Sequence, residues 1–440
     1  MNKTARLKPT RRSFVLGLML GMIALLFVAY TAIQVAADGA ATAPATGIVC
    51  TENASATFTL TAKDGYISMA DGNQVYMWSL ADGQDDFQYP GPVLCVNQND
   101  TVTIVLHNEL PEDTSLVFPG QSDVLANGLP MEPQFDSQGN MTSLTDTADA
   151  NGGSVTYQFT VNEPGTYVYQ SGTNPGIQTQ MGLWGALVVR PTMGPEYAYN
   201  DESTRFNVNT EYMMMLSEID PLLHQALERG ESFDLKDYTA RYFLINGRTF
   251  PDTLAPNHAS WLPNQPYSSL SHIYPYDPVD YPYPALDRFI GMGVEGYPFH
   301  PHAFNAQIIA RDGRLLQTDA GDDLYEERFS LPINPGQTTD AFYAWRDDYK
   351  WNPNAAPGDP DEFPVEIPNQ QNLPPGLFYG SPFLGNQDVV PVGGHSFNQC
   401  GEFYHIAHNH NLQQITGWGV VLIGQITFTR IDPPLPNNCP

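Results

Sequence analysis

Val102, Ile104 and Leu106 alternate with Thr101, Thr103 and Val105, and this period of two, cut short by turn residues, most limits what the chain can fold into. Successive side chains of a β-strand point to opposite faces, so such a segment buries one apolar face and leaves the other wet. Ser154-Val155-Thr156-Tyr157-Gln158-Phe159 repeats the pattern. Gly185-Ala186-Leu187-Val188-Val189 is apolar throughout and stops at Arg190-Pro191, as a strand buried on both faces would. The 37 glycines and 38 prolines leave little room for helix interiors. The one modest helical pattern, Leu222, Leu223, Ala226 and Leu227, lies between Glu218 and Leu235. These signals predict an all-β protein of short strands and many turns.

The punctuation suggests two sandwiches: residues 50–192, then a connector over 193–240, then a second β-rich block over 241–433. Two irregular stretches, Pro263 to Pro284 and Asn352 to Pro375, interrupt the second block. Loops of that length in a compact domain wrap a partner domain or cover a site. Glu163-Pro164-Gly165-Thr166-Tyr167 and Asn334-Pro335-Gly336-Gln337-Thr338 each follow a strand-like run, an echo expected of two related sandwiches.

Residues 1–37 read as an export signal. Lys3, Arg6, Lys8, Arg11 and Arg12 precede an apolar stretch, and Val35-Ala36-Ala37 offers small residues for cleavage. The run Thr10-Arg11-Arg12-Ser13-Phe14-Val15-Leu16 is twin-arginine-like, a route that carries folded proteins. The apolar stretch is also long enough to stay as an N-terminal anchor, the only contact with a membrane that the sequence predicts. The expected location is therefore periplasmic, extracellular or on the outer face of the cytoplasmic membrane. A net charge of −29 argues against nucleic acid or an anionic membrane surface as a partner. Four cysteines in an exported chain favour disulfides. Pairing within each half, Cys50 with Cys95 and Cys400 with Cys439, is the economical expectation among three connectivities.

Four of the ten histidines form two His-x-His pairs, His300-Pro301-His302 and His408-Asn409-His410. On a strand each pair aims two imidazoles to one face, and two adjacent strands would gather four nitrogen ligands suited to copper or another transition metal. The competing reading is four histidines buried for packing at a domain interface. His405, Tyr297 and Tyr404 are candidates to support ligating imidazoles or to pack the core. Met213-Met214-Met215 carries soft sulfur, but neighbouring strand residues face opposite ways, so core packing is expected there. No serine-nucleophile elbow, P-loop or dinucleotide fingerprint is present.

Several blocks, in order, resemble the multicopper oxidase family, built from cupredoxin-like Greek-key β-sandwich domains. They are Gly91-Pro92-Val93-Leu94-Cys95-Val96 with His107-Asn108-Glu109-Leu110-Pro111, Gln180-Met181-Gly182-Leu183-Trp184-Gly185, Tyr297-Pro298-Phe299-His300-Pro301-His302, and Gly401-Glu402-Phe403 through His410. The resemblance implies copper, and a family ligand set of four His-x-His pairs from two domains. Here the first two pairs fall at Val117-Phe118-Pro119 and Gln170-Ser171-Gly172, where no ligand stands. The family's type 1 copper cysteine, set between the histidines of the last pair, falls at Asn409, and a partner histidine falls at Tyr297. Laccase-type oxidation then lacks its electron route, because that copper needs a thiolate.

Two expectations follow. One is an exported copper-dependent oxidoreductase of reduced complement, with a single site at His300, His302, His408 and His410 acting on a small molecule or oxygen. The other is a non-catalytic cupredoxin-like protein serving structure, metal carriage or extracellular interaction. Related two-domain proteins complete copper sites with a neighbouring subunit, which makes a homo-oligomer compatible with either reading.

Overall fold

Strands appear where the alternation predicts them. Thr101–Asn108 alternates exposed and buried along its length, and Gly153–Thr160 pairs with it in antiparallel register. The computed structural model describes residues 46–276, 279, 281–346, 378–381, 385–389, 403–417, 419 and 422–432. The N-terminal signal, the segment 352–375, Cys400 and Cys439 lie outside the described residues.

The first sandwich is built from β1 (Thr57–Ser68), β2 (Gln74–Asp82), β3 (Val93–Asn97), β4 (Thr101–Asn108), β5 (Leu116–Val117), β6 (Gly153–Thr160), β7 (Gly165–Ser171) and β8 (Trp184–Arg190). One sheet runs β2-β1-β4-β6 and continues into two short strands. The other runs β3-β8-β7-β5, with Thr51–Glu52 added at its edge. Leu60, Ile104, Leu106 and Val155 from one sheet meet Leu94, Leu187, Val189 and Tyr169 from the other. Cys50 and Cys95 form a disulfide at the edge of this sandwich, with Cα atoms 5.5 Å apart. Helix α1 (Pro175–Met181) follows β7 and precedes β8.

The second sandwich uses β9 (Glu211–Ile219), β10 (Tyr242–Ile245), β11 (Ser271–Ile273), β12 (Ala285–Met292), β13 (Tyr297–Pro301), β14 (Ala306–Arg311), β15 (Leu331–Ile333), β16 (Thr338–Tyr343), β17 (Phe403–Asn409) and β18 (Ile426–Ile431). Its sheets run β10-β9-β12-β16-β14, with two short strands beside β14, and β11-β18-β17-β13-β15. Strand β9 falls inside the stretch expected as a connector. It is buried at all nine positions, so it shows no alternation to read, and glutamates at positions 211 and 218 disguise its interior location. Helix α2 (Pro221–Glu228), capped by the Asp220 side chain, occupies the predicted helical stretch.

Methionines confirm the alternation rule at the domain boundary. Met213 and Met215 join Val93, Val168, Trp184 and Val188 between the two sandwiches, whereas Met214 turns into the second core. The Pro/Tyr-rich loop wraps the first domain. Gln265 exchanges side-chain hydrogen bonds with the Ser68 backbone at 3.0 Å, and the Asn264 carbonyl accepts from Tyr89 N at 2.8 Å.

A charged cluster also joins the domains. The fully buried Arg288 donates to Glu211 at 2.6 Å and to Thr166 Oγ1 at 2.9 Å, and pairs with Asp340 at 3.3 Å. Arg190 adds a second guanidinium on Glu211, and Thr166 and Tyr199 hydroxyls donate to Asp340 at 2.6 and 2.7 Å. Burial works against the charge of Glu211, but Arg288 and Arg190 more than offset it and hold its carboxyl below the ordinary range.

Candidate metal centre

Strands β13 and β17 lie side by side in antiparallel register with His300 directly opposite His408. His302 follows β13, held by its N–H donating to Ile406 O at 3.0 Å, and His410 follows β17, its N–H donating to Pro298 O at 2.7 Å. The four imidazoles therefore share one face. His300 lies 4.6 Å from His302, 5.6 Å from His408 and 5.2 Å from His410, measured between ring centroids. His302 and His408 are 5.1 Å apart, and His408 and His410 are 5.7 Å apart. His302 and His410 are exposed, the other two half-buried.

Two backbone carbonyls orient this group. Nδ1 of His300 bonds the Phe329 carbonyl, and Nδ1 of His408 bonds Asn409 O at 2.6 Å. Each carbonyl accepts, so the proton sits on Nδ1 and Nε2 keeps its lone pair, the arrangement that commonly supports metal-ligating histidine. The exposed ring of Phe329 also stands edge-on to His300, with centroids 5.7 Å apart. Nε2 of His302 and Nε2 of His408 approach to 3.0 Å. That is the spacing of neighbouring nitrogen ligands around one ion with bonds of about 2 Å. Burial first, and then the neighbouring imidazoles, push His302 and His408 below the ordinary histidine range and keep them neutral. Among the described residues, no group of three or more His, Cys, Asp or Glu side chains is placed so that it could hold a metal ion as it stands. The donor chemistry of the four imidazoles, with Nδ1 of His300 and His408 tied to carbonyls, is of the kind that suits a nitrogen-bound transition metal.

The position between the last two histidines does not fit copper of the type 1 kind. Asn409 is fully buried, donates to Gln425 Oε1 at 2.7 Å and accepts from Asn411 N at 2.9 Å. Gln425 in turn donates to the Ser217 and Leu244 carbonyls, both at 3.1 Å. A hard amide network fills the space where a soft thiolate is needed. Tyr297 is buried and donates its hydroxyl to Glu218, which also accepts from Val294 N at 2.7 Å and Tyr238 at 3.2 Å. His405 lies on the opposite strand face from His408 and stacks on Trp345, while Tyr404 packs edge-on to Phe428.

The first sandwich holds a matching strand pair. Val117 of β5 faces Gln170 of β7, just as His300 faces His408. Beside it, Ser115, Ser143 and Thr173 form a buried triangle of hydroxyls with edges of 2.9, 3.0 and 2.8 Å. Sequence reading missed the carbonyl of Phe329 and the carboxylate of Glu218. The first is a backbone group and has no sequence signal. The second lies in the strand that showed no periodicity.

Two Greek-key sandwiches of this build define a cupredoxin-like protein. A multicopper oxidase family profile matches residues 61–194. The chain is 28% identical to L-ascorbate oxidase of Cucurbita maxima over 144 residues, which cover 33% of this chain and 21% of that enzyme. The aligned stretch is thus about a fifth of that relative's length. Among solved structures, the multicopper oxidase mgLAC aligns with a TM-score of 0.56 at 18% identity, covering 87% of this chain and 86% of the other. The blue copper oxidase of Nitrosomonas europaea gives 0.55 at 18% identity, covering 86% and 85%. Residues 61–194 thus carry the multicopper oxidase match, and the chain shares the fold of those solved oxidases.

Proposed function

We propose that this chain is an exported copper protein that holds its metal at one site, through His300, His302, His408 and His410, and has lost laccase-type oxidation. The observation that carries this reading is the cross-strand pair His300 and His408. Both present Nε2 on one face with Nδ1 anchored to a carbonyl, and a third Nε2 lies 3.0 Å from His408. Copper bound there would supply redox chemistry at an open coordination position, toward oxygen or a small molecule. The residues themselves orient the ligands, hold His302 and His408 unprotonated and leave one side open to solvent. The amide network at Asn409 supports the loss of the ancestral reaction, and favours metal carriage as the second reading. The twin-arginine-like leader and the Cys50–Cys95 disulfide support export.

The test is metal analysis of protein purified through its native export route, with copper titration of the metal-free form. One equivalent of copper is expected, without the intense blue of a thiolate site. Oxidation of a phenol by the loaded protein would separate enzyme from carrier. Absence of any co-purifying transition metal, with unchanged affinity in His408→Ala, would remove the basis of both.

A further inference from the structure

Inside the second sandwich, away from the histidine face, Asp287 has no counterion among the described residues. It sits on β12 between Ala285 and Phe289, both of which face the interior of this domain, and it is fully buried. Its next neighbour, Arg288, points the other way to Glu211 and Asp340. One Asp287 oxygen accepts from the Ser271 hydroxyl at 2.9 Å, and the other, Oδ1, has no hydrogen-bond partner. Two further buried hydroxyls share this condition, Tyr343 OH and Thr429 Oγ1.

The strand registers bring these atoms together. Ser271 on β11 is the direct partner of Thr429 on β18, so their side chains stand next to each other on one inner face. Tyr343 on β16 is opposite Ala285, which makes it the diagonal neighbour of Asp287 on the same sheet, across the core from Ser271 and Thr429. A carboxylate oxygen, a phenol and a threonine hydroxyl therefore converge from three strands on one part of the core. Buried polar atoms are nearly always partnered, and each orphan needs an occupant. The ring of Tyr343 is held by Phe289 and Phe304 at 6.4 and 4.8 Å between centroids, so it is not free to swing onto Asp287.

We infer that the second sandwich encloses a binding site for ordered water, which bridges Asp287 Oδ1 to the hydroxyls of Tyr343 and Thr429. A water molecule donates to the carboxyl and to Thr429 while accepting from Tyr343, so one molecule satisfies all three orphans. A cation is the less suitable occupant, because only one of the three is an anionic group and the other two are neutral hydroxyls. The ionisable side chains around Asp287 are Tyr212 and Tyr343, with His405 one strand beyond Thr429, and none offers a positive charge at neutral pH. Burial, opposed by the Ser271 hydrogen bond, accordingly raises the Asp287 carboxyl to about 7. The site thus holds an exchangeable proton as well as water.

High-resolution crystallography of the full chain, grown in sodium and again in rubidium salts, tests the site. The expected result is one density peak within hydrogen-bond reach of Asp287 Oδ1, Tyr343 OH and Thr429 Oγ1, without anomalous signal in rubidium. A rubidium signal overturns the assignment, as does a direct Asp287–Tyr343 hydrogen bond with nothing between. Denaturation of Asp287→Asn and of the parent across pH provides a second measure. Because the folded carboxyl titrates above its unfolded value near 4, the folding constant of the parent relative to the variant falls up to tenfold per pH unit between about 4 and 7. A flat ratio over that range would also overturn the proposal.

Discussion

The strand pair that faces Val117 with Gln170 and the one that faces His300 with His408 are the same piece of architecture carrying different chemistry. Each brings two neighbouring strands of a sandwich together in antiparallel register. In the second domain the side chains are imidazoles with two Nδ1 atoms tied to carbonyls. In the first they are an aliphatic group and an amide beside a triangle of buried hydroxyls. The same backbone register presents quite different side chains. A fold match alone therefore says nothing of the chemistry that such a strand pair carries.

The comparison breaks most visibly through metal affinity. His408→Ala removes the histidine that has both a carbonyl anchor and the close Nε2 contact, and we expect copper affinity by titration to drop at least about 100-fold. Gln170→Ala, at the matching place, should leave affinity unchanged. If both variants bound alike, the two strand pairs would be equivalent and the site would lie elsewhere.

A smaller effect tests how completely the first pair has been packed over. A Cβ at Gly172 would come within 2.8 Å of Val117 Cγ1 and 3.0 Å of Ser115 Oγ. Gly172→Ala should therefore cost about 1–3 kcal/mol by overpacking, read from the urea midpoint. An unchanged midpoint would mean that the site accepts a larger side chain without resistance.

The two halves should also differ in their response to pH. His224 packs helix α2 against the first sandwich, is fully buried and gives Nδ1 to the Tyr76 carbonyl at 2.6 Å. Burial, opposed by that hydrogen bond, lowers its pKa to about 4. The unfolded chain then binds the proton first, so stability is full above about 6.5 and falls as pH drops toward 4, by up to about 1.4 kcal/mol per unit. Glu218 behaves oppositely. Burial raises it to about 7 against the hydrogen bonds it accepts, so its contribution weakens as pH rises from about 4.5 to 7. His224→Gln should flatten the acid limb of the denaturation profile, and Glu218→Gln the neutral one. An exchange of these two outcomes would refute the assignments.

The smallest expected change is in the hydroxyl triangle. Ser115→Ala leaves Ser143 and Thr173 each short of a partner and should cost about 1 kcal/mol, measured by chemical denaturation.

Much of this was legible in the chain itself. Thr101–Asn108 and Gly153–Thr160 announced themselves because half-buried strands must alternate, and Met213, Met214 and Met215 divided between two cores for the same reason. The histidine pairs were legible because a strand fixes the direction of residues two apart. Strand β9 was not, since burial on both faces erases the alternation and Glu211 has its charge matched only by distant arginines. The anchor on His300 comes from a backbone carbonyl 29 residues away, which no side-chain pattern encodes.

Arg288 gives the last consequence. Its guanidinium belongs to the second sandwich, yet one of its bonds reaches Thr166 of the first, and Asp340 is shared by Thr166 and Tyr199. Opening the boundary would cost Arg288 and Asp340 their hydrogen bonds to Thr166, and Glu211 its ion pair with Arg190. The pair of domains is thus tied into a single thermal unit, expected to give one calorimetric transition, so damage to either half is felt by both.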